Sequence, residues 1–371
     1  MIYLDYAANT PVDKRVLDTF HKITLDYFGN PNSPHTLGDM AREKMLQTTQ
    51  RIADILGVKK DEIIYTSGAS ESNNMAIKGI AESYKRYGKH IITTFLEHAS
   101  VTGPVTALKN QGYEVDFVNI TSSGKVDLEH LKELIREDTI LVSVCYVDSE
   151  VGTLQPIQEI SKIVHEKKHC YLHVDATQAV GKVPVCFDGI DLMTFSAHKF
   201  YGINGSGVLI KKDTLMMESL IHGGLSTTSF RSGTPALGLA AALEEALSLA
   251  MERLEENLSY VRELNGLLRH SFQGYKDIVI ISPEDSSPYI LNISMKGVNT
   301  NKFAQELDTY GIYVATKSAC CAPNTVSKPV FAIIKDKKLA LQTLRISLSH
   351  LTSKDEIKEF LEVFNKLLLH D

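Results

Sequence analysis

Two apolar runs lie within residues 170–199, which read CYLHVDATQAVGKVPVCFDGIDLMTFSAHK. The first run predicts a strand over Cys170–Asp175 that ends in a carboxylate. The second predicts a strand over Asp191–Phe195, and Lys199 follows closely after it. Because ligands of α/β sheets bind at the carboxyl ends of the strands, we expect Asp175 and Lys199 to face the same ligand.

The same alternation of short apolar runs with amphipathic stretches extends on both sides, from residue 62 to about residue 211. Helices are predicted between most of the runs, for example over Ser70–Arg86 and Pro156–Lys167. This pattern predicts an α/β fold with a mostly parallel sheet of seven strands flanked by helices. The predicted strands are Glu62–Ser67, His90–Phe95, Glu114–Ile120, Thr139–Val147, Cys170–Asp175, Asp191–Phe195 and Gly207–Lys211.

A smaller α+β domain is predicted after a long helical stretch from Thr234 to about Phe272. We expect a large domain over residues 13–255 and a small one made of residues 1–12 and 256–371. Lys317 to Pro329 is predicted to be a loop. Ser353 and Glu356 have the spacing of a capping box for the last helix. The other elements predicted in the small domain are Tyr289–Met295, Asn301–Tyr310, Ile312–Ala315 and Leu344–Leu348.

Composition indicates a globular protein that binds a small ligand. The chain has 371 residues, 43% of them hydrophobic, and a formal net charge of -6 without any run of lysine and arginine. That charge pattern argues against direct binding of nucleic acid or of an anionic membrane. The sequence begins without a basic stretch followed by a long apolar one, and no apolar run reaches membrane-spanning length, so a cytoplasmic location is expected.

The five cysteines form neither a disulfide ladder nor a paired CxxC framework for a metal. We therefore expect free thiols and no metal site. Cys145, Cys170 and Cys186 are expected to be small core residues, as most free cysteines are.

Three short segments carry possible chemistry. Lys199 is of the residue type that forms Schiff bases with pyridoxal 5'-phosphate (PLP), and Asp175 could pair with the pyridine nitrogen of that cofactor. Residues 66–74 read TSGASESNN, a strand end, a glycine turn and a helix start that could bind a phosphate. Each segment alone also fits a plainer role, as a surface lysine, a turn aspartate or an ordinary capped helix.

Taken together and in order, these segments resemble PLP-dependent enzymes of fold type I in the class V aminotransferase superfamily. Within it the chain is similar to cysteine desulfurases, the group that serves iron–sulfur cluster assembly and tRNA thiolation. The matching motifs are LDYAA at 4–8, GNP at 29–31, TSGASES at 66–72, EH at 97–98, HVDATQ at 173–178, SAHK at 196–199, RSGT at 231–234, SAC at 318–320 and RIS at 345–347.

The resemblance implies a homodimer that uses PLP, acts on L-cysteine and passes sulfur to an acceptor protein. Lys199 would bond to PLP, and His98 would stack on its ring and help to move protons. Asp175 would pair with the ring nitrogen. The residues implied near the phenolic oxygen are Gln178 and Ser149, and those implied at the phosphate are Ala69, Ser70, Ser196, His198 and, from the other subunit, Thr234.

The resemblance also implies a substrate clamp and a nucleophile. Arg345 would bind the substrate carboxylate with its planar fork of donors. The Cys320 thiolate would attack the substrate sulfur and become a persulfide. The neighbouring Cys321 is expected to be incidental, although it could also serve as a resolving thiol.

Some positions depart from the family pattern. Asp148 and Ser149 replace two asparagines, Lys317 replaces a glycine, and residues 225–230 differ from the usual segment before RSGT. Lys317 is expected to be a solvated loop residue, although it could also lower the pKa of Cys320. Two other functions therefore stay open. One is a related PLP lyase or aminotransferase acting on another amino acid, such as selenocysteine or cysteine sulfinate, and the other is a degenerate PLP fold that serves as a scaffold.

Overall fold

The computed structural model describes residues 1–224, 227–317 and 325–368. The strands are β1 (Ile2–Tyr3), β2 (Ile63–Thr66), β3 (His90–Thr93), β4 (Glu114–Phe117), β5 (Thr139–Cys145), β6 (Tyr171–Asp175), β7 (Leu192–Ser196), β8 (Gly207–Lys211), β9 (Ile278–Ile280), β10 (Ile290–Met295), β11 (Ile312–Tyr313) and β12 (Thr343–Ser347). The helices are α1 (Lys14–Asp26), α2 (Thr36–Leu56), α3 (Ala69–Tyr84), α4 (Ala99–Lys109), α5 (Leu128–Leu134), α6 (Ile157–Val164), α7 (Leu237–Glu252), α8 (Leu254–Phe272), α9 (Thr300–Thr309), α10 (Lys328–Ile334) and α11 (Lys354–Leu368).

Seven strands form the large sheet, in the order β2-β8-β7-β6-β5-β3-β4. β8 runs antiparallel to both of its neighbours, and the other pairs are parallel. The carboxyl ends of all strands except β8 therefore meet at one edge of the sheet. The prediction of a mostly parallel seven-stranded sheet is confirmed.

Burial on both faces of this sheet explains its apolar strands, since neighbouring residues point to opposite faces. Ile64, Ile91 and Leu192 pack into the apolar cluster that includes α3 and α4. The residues next to them, such as Ile92 and Met193, pack into the larger cluster on the other face.

Two small sheets accompany the large one. β10 pairs in antiparallel fashion with β9 and β12. β1 pairs in parallel with β11, and the backbone N–H of Ser347 in β12 donates to the carbonyl of Leu4. The chain near residue 4 is thus held against the strand that carries Arg345.

Several predicted elements need correction. The predicted stretch from Thr234 to Phe272 is two helices, separated at Arg253. Residues 251–254 contain neither proline nor glycine, so the sequence carries no signal for that break. The first helix begins only at Leu237, and Pro235 disfavours helical backbone at Thr234. The short β9 was missed, and α10 begins at Lys328, inside the predicted loop.

The capping box at the start of α11 is confirmed. The backbone N–H of Ser353 donates to the Glu356 carboxylate at 2.7 Å, and the N–H of Glu356 donates to the Ser353 hydroxyl at 3.1 Å. Across the described ranges of the chain, no helix is long and apolar enough to cross a membrane.

Candidate active site

A cavity of about 460 Å³ opens at the carboxyl edge of the large sheet. It adjoins the ends of β5, β6 and β7 and the start of α3. Ligands of α/β sheets bind at this edge, outside the carboxyl ends of the strands. The predicted site residues that line it are Ala69, Ser70, His98, Ser149, Asp175, Gln178, Ser196, His198, Lys199 and Arg345. Thr234 instead lines a neighbouring pocket with Gly205 and Arg231. Cys320 and Cys321 lie outside the described residues.

Lys199 reaches the cavity because a single turn of 3-10 helix follows β7. Its amine donates to the carbonyl oxygens of Ala7 and Ala8 at 2.8 and 2.6 Å. The backbone of Thr10 donates to the carbonyl of His198 at 3.1 Å. The segment around residues 7–10 therefore packs against the turn that carries the lysine.

Asp175 ends β6, in the register opposite Thr194 of β7. One carboxylate oxygen accepts the backbone N–H of Thr177 at 3.0 Å, and the other accepts the side-chain amide of Asn73 at 2.8 Å. These two bonds fix the orientation of the Asp175 carboxylate at the wall of the cavity.

The start of α3, where the sequence predicts a phosphate site, lines one part of the cavity. The backbone N–H of Ala69 donates to the Ser196 hydroxyl at 3.0 Å, which ties the helix start to the end of β7. Gly68 has a φ of 149°, and a Cβ atom on Gly207 would lie 2.5 Å from its Cα atom. Glycine at both positions lets β8 pack directly against the turn.

The ionisable side chains near this helix start are either neutral or paired with an opposite charge. Burial lowers the pKa of His198 to about 4, and the neighbouring Lys199 and Lys182 lower it further, so the imidazole is neutral at pH 7. Burial opposes ionisation of Glu71, but hydrogen bonds from Arg231 and Ser67 lower its pKa below the usual value. Its charge is matched by Arg231 at 2.9 Å.

Arg345 lies on β12 and reaches the cavity from the small sheet. Its guanidinium donates to the carbonyl of Ser149 at 2.9 Å and to the carboxylate of Asp5 at 2.7 Å. The Nε atom is buried and has no hydrogen-bond partner among the described residues. Asp5 and Ser149 therefore hold the fork in place and leave donor capacity for a ligand.

Gln178 is held from two sides. Its side-chain amide nitrogen donates to the carbonyl of Ala7 at 2.8 Å, and the amine of Lys182 donates to its amide oxygen at 2.9 Å. Burial lowers the pKa of Lys182 to about 7, and Lys199 and Arg345 contribute to this. These two bonds fix the amide of Gln178 with its nitrogen toward Ala7, which also lines the cavity.

The segment predicted to carry the nucleophile is described only at its two ends. The amine of Lys317 donates to the carbonyl and the hydroxyl of Thr325 at 3.0 and 2.8 Å. The Ser327 hydroxyl donates to the buried Glu150 carboxylate at 2.6 Å. Lys317, expected to be a solvated loop residue, thus joins the residues on either side of 318–324.

The remaining cysteines only partly match expectation. Cys145 and Cys170 are buried, and Cys145 also lines the cavity. Burial raises the pKa of the Cys145 thiol well above its usual range. Cys186 is exposed, so its assignment to the core was wrong. The apolar residues beside it in sequence, Val185 and Phe187, are only partly buried.

The aminotransferase class-V family profile matches residues 2–360. This chain belongs to that family. A protein of Dictyoglomus turgidum named cysteine desulfurase IscS is 36% identical over 99% of this chain and 94% of its own length. Among solved structures, a NifS-like protein has a TM-score of 0.94 at 33% identity and covers 100% of both chains. SspA in complex with cysteine has a TM-score of 0.83 at 31% identity, over 95% of this chain and 100% of its own.

In this class-V chain, the sequence interpretation gave no role to several polar residues that are buried. Asn73 shares the buried face of α3 with Ile77 and Ile80, so a polar residue at an apolar helical position was the available signal. Glu97 is buried, and burial raises its pKa to about 8. Burial, with the nearby Glu150, raises the pKa of Asp148 to about 7. Glu97 and Asp148 each lie beside a polar residue, His98 and Ser149, so the local sequence does not mark either carboxylate as buried.

Proposed function

We propose that this chain is a PLP-dependent cysteine desulfurase that converts L-cysteine to L-alanine and retains the sulfur on Cys320 as a persulfide. One observation carries the proposal. The Lys199 amine and the Asp175 carboxylate line one cavity, in a chain 36% identical to a relative named cysteine desulfurase.

The residues present fit PLP. Lys199 supplies an amine, Asp175 a fixed carboxylate, and the start of α3 a set of backbone donors that suits a phosphate. Thr177 also lines the cavity, and its hydroxyl oxygen is buried without a hydrogen-bond partner among the described residues. We assign PLP to this cavity, with Ala69, Ser70, Ser196 and His198 at its phosphate.

When bound, PLP supplies an electron-accepting ring that makes the Cα proton of an amino acid acidic. Asp175 would keep the ring nitrogen protonated by placing a negative charge beside it. His98 would lie against the ring face. Gln178, held by Lys182, would direct its amide nitrogen toward the phenolic oxygen.

Arg345 would bind the carboxylate of L-cysteine through the donors that Asp5 and Ser149 do not use. This orients the substrate Cα toward Lys199 on the wall of the same cavity. Lys199 would then take the Cα proton and move it, because its side chain ends in an amine and lines the same cavity.

Sulfur transfer falls to Cys320. Its thiolate would attack the substrate sulfur, so that a sulfur–sulfur bond forms while the bond between that sulfur and Cβ breaks. The electrons of the broken bond stay on the carbon fragment, which takes up protons and leaves as alanine. A thiol of an acceptor protein can then collect the sulfur from the persulfide.

A homodimer is part of the proposal. Thr234 does not line the cavity of its own chain, which agrees with a role at the phosphate of a partner subunit. Large apolar side chains in α2 and in the segment that precedes it are exposed, including Phe28 at 75% and Leu46 at 54%, and pairing would cover them.

We further propose that the protein works in the cytoplasm and that residues 13–255 form the large domain, with 1–12 and 256–371 as the small one.

The test is to incubate purified protein, loaded with PLP, with L-cysteine and a reductant. We expect alanine and sulfide in equal amounts. Selenocysteine and cysteine sulfinate serve as competing substrates in parallel reactions. Product from either one, with none from cysteine, would contradict the assigned substrate, and protein that does not bind PLP at all would contradict the enzyme assignment.

A further inference from the structure

Asn73 is a fully buried amide whose orientation is fixed by its neighbours. Its nitrogen donates one hydrogen to Asp175 and the other to the hydroxyl of Ser100, both at 2.8 Å. Its oxygen accepts the hydroxyl of Thr194 at 2.5 Å. The reverse orientation would place the amide oxygen against the Asp175 carboxylate, so the nitrogen must face Asp175 and Ser100.

The direction of this hydrogen-bond chain continues through Ser100. The Ser100 oxygen already accepts from Asn73, and it lies 2.8 Å from Nδ1 of His98. The Ser100 proton is therefore free to point at that nitrogen. The backbone N–H of Ser100 also donates to Nδ1 of His98, at 3.1 Å, as His98 caps α4.

Nδ1 of His98 thus accepts two hydrogen bonds through its lone pair and is unprotonated. A neutral imidazole carries one proton, so that proton must be on Nε2. The ring lines the cavity while its Nδ1 edge faces the first turn of α4. The edge that bears Nε2 is the one available to a ligand.

We propose that Asn73 and Ser100 are positioning residues that hold His98 as the Nε2-protonated tautomer, so that His98 donates at the cavity and proton abstraction falls to Lys199. The catalytic consequence rests on the proposed function, whereas the tautomer itself does not. Burial also lowers the pKa of His98, and Lys199 lowers it further, against the opposing charges of Asp175 and Glu150. The neutral ring therefore persists at pH 7.

This chain of donors couples two sides of the site. Asp175 fixes the direction of the Asn73 amide, and that amide fixes the direction of the Ser100 hydroxyl. The carboxylate assigned to the ring nitrogen thereby also sets which nitrogen of His98 bears a proton.

The test is nitrogen NMR of the apoprotein labelled with ¹⁵N-histidine, with the His98 signals assigned from a His98→Gln variant. We expect Nε2 protonated and Nδ1 unprotonated at pH 7. A His98 that carries its proton on Nδ1, or on both nitrogens, overturns the proposal whether or not the protein acts on cysteine. A protein with the expected tautomer that fails to release alanine would leave the tautomer standing and remove the proposed function.

Ser100→Ala sharpens the test. Loss of the hydroxyl removes one donor to the neutral ring, so the midpoint of the His98 titration should move to higher pH and the pH profile of kcat should move with it. Ser100→Thr keeps the hydroxyl and should retain the original midpoint. Thr106→Ala removes a hydroxyl from the exposed face of the same helix and serves as the matched control. An unchanged midpoint in Ser100→Ala would rule out Ser100 as a positioning residue.

Discussion

The strand-end wall, made of Asp175, Ser196 and Lys199, and the thiol segment, residues 317–327, are secured in different ways. The wall side chains are hydrogen-bonded to partners from α3 and from residues 7–8. In the thiol segment the described bonds lie at its ends, at Lys317 with Thr325 and at Ser327 with Glu150. The wall residues match the family pattern. At the first residue of the thiol segment, this chain has Lys317 where the family usually has glycine.

This difference suggests that the two regions contribute separate steps. The wall would fix a cofactor and activate the substrate, and the thiol segment would collect the sulfur. Variants that disable one region and leave the other intact can test that separation.

The largest expected effect is that of Lys199→Ala. Without the amine no covalent link to PLP can form, and turnover should fall by roughly 10²- to 10⁴-fold or more, the range for loss of a general base. Borohydride reduction followed by mass spectrometry of the intact protein measures the link directly. Lys212→Ala is the matched control, since Lys212 follows β8 and lies at the opposite edge of the sheet. A reduced adduct in the Lys199→Ala protein would contradict the assignment.

Cys320→Ala should separate the two regions. PLP should still attach and cysteine should still alter its absorbance, but no persulfide should form on the protein. Cys321→Ala, the adjacent thiol, should keep substantial activity. Persulfide mapping by mass spectrometry decides between them. Full activity in Cys320→Ala together with loss in Cys321→Ala would show that the wrong nucleophile was named.

Asp148→Asn should change stability in a pH-dependent way. Asp148 is fully buried, and its pKa is raised from 3.8 to about 7, so the folded state holds the proton more tightly than the unfolded chain. The wild-type protein should therefore lose stability as pH rises from about 4 to about 7, and that loss persists above 7. Asparagine cannot ionise, so the variant should be more stable than wild type at pH 8, by up to roughly 4 kcal/mol.

Urea unfolding at pH 5 and pH 8 measures this difference. The exposed carboxylate variant Asp61→Asn is the control and should behave alike at both pH values. A difference between Asp148→Asn and wild type that does not grow with pH would show that Asp148 is ionised at both.

The smallest effect is expected for Ser149→Asn, which introduces the family residue beside the wall. An asparagine could donate to the phenolic oxygen of PLP, and one charge-assisted hydrogen bond is worth roughly 1.5–3 kcal/mol. That corresponds to about one to two pH units in the midpoint at which the absorbance of the PLP–Lys199 link changes. The midpoint should move to lower pH in the variant. Superimposable titration curves would show that residue 149 does not tune the cofactor.

The sequence predicted the large sheet because its strands are apolar runs of ordinary length. It predicted the strand-end wall because Asp175 ends one of these strands and Lys199 closely follows another. It assigned no role to Asn73 or Asp5, whose partners lie far away in the chain. Asn73 meets Asp175 across 102 positions, and Asp5 meets Arg345 across 340. No local spacing encodes such contacts. The break at Arg253 was missed because residues 251–254 keep good helix-forming composition.

The bonds between residues 4–8 and the rest of the site set an order for folding. Arg345 is paired with Asp5, Ser347 donates to Leu4, and Lys199 and Gln178 both donate to Ala7. During synthesis from the N-terminus, residues 4–8 cannot form these contacts until β12 has been made. Closing loops of this length is slow, because the entropy is lost before the contact is gained. Recovery of cofactor binding during refolding should accordingly lag behind formation of the large sheet.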